Sequence, residues 1–177
     1  MKHLSIKTMQ TFVLFAILSL ICEGCSARTP KNQNFIMKEM INPVLTDSLG
    51  DSICSIIVSA QKVKVERLFT NHSQPPKIPT KWLSKEEIGV ATFLLMANDG
   101  VTNQSPVFGK YSPNVKFTFF SKKSSVVVEI DFGLQQVCFI GKETKKFDVR
   151  ENYILKFCNM LFPNDEYLSF LLKERTK

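Results

Sequence analysis

The stretch from Val115 to Phe147 leaves this chain little freedom of fold. Val115, Phe117 and Phe119 alternate with Lys116 and Thr118, the period of two that sends one side of a strand inward. Ser121-Lys-Lys-Ser124 reads as a turn, and Val126, Val128, Ile130 and Phe132 share one face of the returning strand. Gly133 permits the next reversal, Gln136 to Ile140 reads as a third strand, and Gly141-Lys142 turns into Thr144–Phe147. Connections this short force antiparallel neighbours, because parallel ones need a crossover of about a dozen residues or more. Ten of the fifteen phenylalanines fall between Phe108 and Phe170, so this half is expected to supply most of the core.

Helical spacing surrounds the meander. Leu49, Ile53, Ile56, Ile57 and Ala60 fall on one face of a helix, with Ser48 and Asp51 as its expected N-terminal cap. The period then changes at Val63 and Val65, which alternate with Lys62, Lys64 and Glu66 as in a half-buried strand. Asn71 to Lys81 holds Pro75, Pro76 and Pro79 and reads as a loop, since proline donates no backbone hydrogen bond. Ser84-Lys-Glu-Glu87 is a capping box, with Leu83 and Ile88 spaced as a hydrophobic staple. That helix is expected to run through Phe93 and Leu94 and to stop at Asn98-Asp-Gly100.

Residues 101–114, with Pro106, Gly109 and Pro113, read as an irregular connection. A further helix spans about Val149 to Leu161, with Ile154, Phe157, Cys158 and Leu161 inward. Pro163-Asn-Asp-Glu166 breaks it and starts a short helix through Leu172. The expected fold class is α+β: an antiparallel meander sheet packed with flanking helices in a single compact domain over residues 35–177. A body of that length buries roughly two-thirds of its unfolded surface and needs no covalent staples.

The first 25 residues concern location. Lys2, His3 and Lys7 precede an apolar run of ten, Phe12 to Ile21, and Gly24-Cys25-Ser26 follows. The run is too short to cross about 30 Å of hydrocarbon, which takes about 20 residues, and it matches the h-region of an export signal. With Gly24 directly before the cysteine, the segment resembles a bacterial lipoprotein signal. Residues 1–24 are then the signal peptide, Cys25 the lipidated N-terminus, and residues 25–34 a polar tether without hydrophobic periodicity. Two alternatives stay open: ordinary cleavage after Ala27, giving a secreted soluble product, and an uncleaved anchor.

The order of elements, ending in Leu161-Phe-Pro-Asn-Asp-Glu-Tyr167, resembles small uncharacterised lipoproteins of Gram-negative gut bacteria. The resemblance covers roughly residues 48–172. It implies an envelope location and this fold, and carries no activity with it.

The chain's net charge of +7 becomes +6 once residues 1–24 are removed. Its lysines are scattered (Lys62, Lys64, Lys77, Lys81, Lys110, Lys116, Lys122, Lys123), and an exported protein rarely meets nucleic acid. They read as a solvated surface that attracts anionic headgroups or an acidic partner. Past the signal there is one histidine, His72, in the proline-flanked stretch, where no rigid third group is expected to orient a base. One histidine and three dispersed cysteines, Cys54, Cys138 and Cys158, have no metal-ligand spacing. The cysteines read as small buried hydrophobes, a disulfide among them being left open. No metal or cofactor is expected.

Glu129 and Asp131 are the one acid pair worth weighing. Two apart on a strand, they point to the same face with α-carbons about 7 Å apart. Such carboxylates share acid–base work in glycosidases; on an open sheet they instead meet Lys116 or Lys122. Trp82, the sole tryptophan, and Tyr111, beside Gly109 and Pro113, are candidate binding residues. The expected function is a lipid-anchored envelope protein acting as a non-enzymatic binding module, with another protein as partner. An inhibitor, an immunity-type protein and an accessory subunit all fit that description. The alternative is an envelope glycan-acting hydrolase using Glu129 and Asp131.

Overall fold

The computed structural model describes residues 41–69, 78–97, 101–103, 109–122, 124–141, 143–149 and 152–175. The signal, Cys25 and the tether lie outside them, as do His72 and Pro75. Among the described residues, seven strands form one sheet: β1 (Lys62–Arg67), β2 (Thr80–Trp82), β3 (Val101–Asn103), β4 (Val115–Ser121), β5 (Ser124–Asp131), β6 (Gln136–Ile140) and β7 (Thr144–Val149). Their order is β2-β1-β4-β5-β6-β7-β3 and every pair is antiparallel. With the four helices of the described residues, α1 (Pro43–Val58), α2 (Lys85–Met96), α3 (Tyr153–Leu161) and α4 (Glu166–Glu174), the fold is α+β. The meander is the run β4-β5-β6-β7.

Register aligns the inward side chains into rows. Val65, Phe117, Val128 and Phe139 stand opposite one another across four strands. Val63, Phe119 and Val126 form the next row. All seven are at most 1% exposed, and fully burying a side chain of this size contributes about 1.5–3 kcal/mol. Helix α1 packs on β3, β4 and β5, and α2 on β1, while α3 joins α2 and α4. The helices thus supply Leu45, Ile57, Leu95, Leu155 and Leu168 to the same core.

Four local expectations change. Helix α1 begins at Pro43, capped by Asn42, whose side chain accepts from the Val44 amide at 2.9 Å. The anticipated cap at Ser48 and Asp51 instead straddles a break, where Gly50 takes φ 75° and ψ 157°, a conformation that favours glycine. Thr80 and Lys81, expected in a loop, belong to β2 and pair with Glu66 and Val65. Val101–Asn103, expected to be irregular, pairs with β7. The third helix starts at Tyr153 because β7 continues through Val149.

The capping box is present as read. Ser84 Oγ accepts from the Glu87 amide at 3.2 Å, and Glu87 Oε2 accepts from the Ser84 amide at 2.8 Å. Only Leu83 and Ser84 therefore separate the end of β2 from the start of α2, which pins the sheet edge at Trp82. At its far end Ala97 bridges to Ile41, and the Met96 carbonyl accepts from the Asn42 amide at 2.8 Å. The expected stop at Asn98–Gly100 lies outside the described residues.

Candidate functional site

The alternation that fills the core turns the other half of each strand toward the opposite sheet face. One corner of that face presents an aromatic pair. Trp82 stands opposite Lys64 on edge strand β2, and Phe120 opposite Lys62 on β4. Their ring centroids are 5.9 Å apart with planes tilted by 36°. Phe120 backs the indole, yet Trp82 stays 57% exposed. An open depression of about 310 Å³ beside it is lined by Gln61, Lys62, Trp82 and Leu83. The corner is held rigidly: the Gln61 amide donates to the Phe120 carbonyl at 3.0 Å and the Leu83 amide to the Val63 carbonyl at 3.0 Å. It has the shape of a contact surface rather than an enclosing cleft.

Next to the corner runs a charge row. Glu66 Oε1 lies 3.2 Å from Lys64 Nζ and Oε2 lies 2.9 Å from Lys116 Nζ. Burial alone would raise the Glu66 pKa; the hydrogen bonds and charges of Lys116 and Lys64 together outweigh it and hold the carboxyl below its usual range. A depressed carboxyl stabilises the fold above its unfolded pKa, about 4.3, and that contribution disappears as pH falls through the folded value. Glu66→Gln is therefore expected to lower the urea midpoint at pH 7. The difference from wild type should be smaller at pH 3 than at pH 7, because the contribution fades as pH falls below the unfolded value. An equal difference at both pH values would remove Glu66 from the acid response.

The connection 109–114 covers the far half of the same face. Tyr111 donates to the Glu129 carbonyl at 3.0 Å, and Lys146 Nζ stands 4.4 Å from the Tyr111 ring centroid. Beneath it Glu129, Cys138 and Lys146 are register neighbours on β5, β6 and β7. Burial, with Cys138 and Glu129 nearby, pushes the Tyr111 phenol well above its ordinary range, so it remains a neutral donor. Gly109, at φ 152°, comes so near that an added Cβ would sit 2.8 Å from Leu134 Cδ2.

Asp131 explains how this cover is fastened. It is 3% exposed, and its Oδ2 accepts from the Ser112 amide at 2.7 Å while Oδ1 accepts from the Leu134 amide at 3.0 Å. One carboxylate thereby ties the connection to the β5–β6 turn. The expectation that Glu129 and Asp131 line solvent opposite Lys116 or Lys122 holds for Glu129, which is half-buried and stands opposite Lys116 in the register, and fails for Asp131. Asp131 is buried and hydrogen-bonded to backbone, and Lys116 pairs with Glu66. Both oxygens of Asp131 serve backbone amides, so the hydrolase reading draws no support from this geometry.

A polar cluster that the sequence reading missed closes the end of the sheet where β1 finishes. Arg67 is 4% exposed. Its Nε donates to Asp165 Oδ2 at 2.7 Å, its Nη2 to Asp165 Oδ1 at 3.4 Å, and its Nη1 to the Asn114 carbonyl at 2.9 Å and to the Leu68 carbonyl. The guanidinium also lies 4.7 Å from the Phe69 ring and 5.4 Å from Tyr167. Asp165 caps α4 by accepting from the Leu168 amide at 2.9 Å. The available signal was alternation: Val63, Val65 and Arg67 share the inward face of β1. Every group here is engaged internally, which is the pattern of a structural latch.

Trp82 and Tyr111 are not brought together. Tyr111 contacts β5 and β7, whereas Trp82 sits on β2 with β1 and β4 between. Cys54, Cys138 and Cys158 are buried and free, and burial raises all three thiol pKa values. A protonated thiol is a poor nucleophile and metal ligand. Among the described residues no group of three His, Cys, Asp or Glu side chains is placed to hold a metal, and no helix is long and apolar enough to cross a membrane. No protein family, curated protein or solved structure matches the chain.

Proposed function

We propose that this is a lipid-anchored protein of the bacterial cell envelope, held to the membrane through Cys25, that acts as a non-enzymatic interaction module with another protein as its partner. An inhibitor, an immunity-type protein or an accessory subunit of an envelope complex fits this description. The observation that carries the reading is Trp82. A tryptophan left 57% exposed on a strand edge, backed by Phe120 and clamped by a capped helix, exposes apolar area on a rigid frame. Tryptophan is enriched among residues that dominate binding energy. The anchor rests on the sequence pattern at residues 12–26.

Cys25→Ser is expected to release a folded protein from the membrane fraction, and intact-mass analysis of the wild type should show acyl chains on a chain beginning at Cys25. An unmodified N-terminus at Arg28 would overturn the anchor. Trp82→Ala is expected to abolish partner capture from native membranes while changing stability by no more than about 1 kcal/mol. Capture at the wild-type level would remove the Trp82 corner as the contact surface.

A further inference from the structure

The Trp82 corner carries cations that its own acids do not balance. Lys62 lines the depression and faces the same way as Phe120. Lys122 follows Phe120 by two residues in a left-handed turn conformation, φ 49°, and Lys85 opens α2 three residues after Trp82. All three are exposed, and none forms an ion pair with a described residue. The neighbouring acids are committed elsewhere. Glu66 serves Lys64 and Lys116, Glu87 bonds Lys81 at 2.8 Å, and Glu86, held at the helix N-terminus with Ser84, also has the Lys85 charge beside it, which leaves Lys62 and Lys122 as the unbalanced cations.

The rim is polar and directional. Gln61 is exposed, and the exposed hydroxyls of Ser59 and Ser121 lie 2.7 Å apart. Hydroxyls and an amide around a central aromatic are the arrangement of a protein contact, an apolar centre inside a polar rim. A bilayer would demand a wider apolar band than one indole supplies.

We infer that this corner receives an acidic segment of a partner protein, with an apolar side chain on the open face of Trp82 and carboxylates reaching Lys62 and Lys122. The inference rests on the proposed role of Trp82 as contact surface and adds the chemistry of what binds there. Complementary charge steers encounter and fixes register, and its reach contracts from about 10 Å at 0.1 M salt to about 3 Å at 1 M.

The test treats native membranes bearing the full chain with a carbodiimide, which joins a lysine amine to a carboxylate in contact, and maps the linked peptides by mass spectrometry. Lys62 and Lys122 are expected to link to Asp or Glu of a second polypeptide. Lys62→Gln with Lys122→Gln should lower capture about tenfold, and 1 M salt should lower wild-type capture comparably. Capture that persists in the double variant, or proceeds without links from these lysines, overturns the acidic partner while leaving Trp82 as contact surface. Capture unaffected by Trp82→Ala overturns the underlying reading instead. Two further outcomes also overturn the inference. One is links to a second copy of this chain. The other is a blue shift of Trp82 emission on vesicles of phosphatidylglycerol without any links.

Discussion

Arg67→Met is expected to lose about 3–5 kcal/mol of folding stability, the cost of leaving a buried partner charge uncompensated. Asp165 would remain at the N-terminus of α4 with its guanidinium gone, and the Asn114 carbonyl would lose a donor 2.9 Å away. Methionine keeps much of the volume, so the effect isolates charge from packing. A second change discriminates further: Asp165→Asn added to Arg67→Met removes the orphaned charge, while asparagine still caps the helix. The double variant should regain a large part of the loss. Urea unfolding followed by circular dichroism reads both midpoints. A double variant no more stable than the single one would show that the carboxylate is not what the guanidinium compensates.

Phe117→Ala is the second large effect, expected to cost about 3–5 kcal/mol. The ring is 0% exposed on the interior strand β4, between Val65 and Val128, and stacks with Phe119 at 6.3 Å. Its neighbours belong to fixed strands, so the site collapses little and a cavity persists. A loss below about 2 kcal/mol would mean that the helices close over the gap.

These sites show what a single sequence makes legible. The meander was readable because alternation and turn spacing point the same way: Val126, Val128 and Ile130 share a face whichever neighbour pairs first. The Ser84–Glu87 box and the break at Pro163 are local chemistry, complete within four residues. β2 and β3 were not readable. At three residues each they are too short to show a period, and pairing with Lys64–Glu66 and Phe147–Val149 makes them strands. Gly50 hid for the opposite reason, since the helical spacing of Leu49, Ile53 and Ile57 continues across the break. Within the candidate site, Trp82 was conspicuous by its uniqueness, but its exposure depends on β2. The burial of Asp131 depends on Ser112, nineteen positions away, beyond the reach of any local pattern.

The strand order has a consequence for how the sheet is protected. Its two outermost strands, β2 and β3, both come from the stretch Thr80–Asn103, with α2 between them. Behind them stand β1 and β7, each six residues long, whose outer backbone groups are templates for pairing with other chains if bared. Because one stretch guards both flanks, they are not lost independently. A local opening that lifts α2 away uncovers two unsatisfied edges on opposite sides of the molecule, and a particle with two such edges can propagate end to end rather than stop at a dimer.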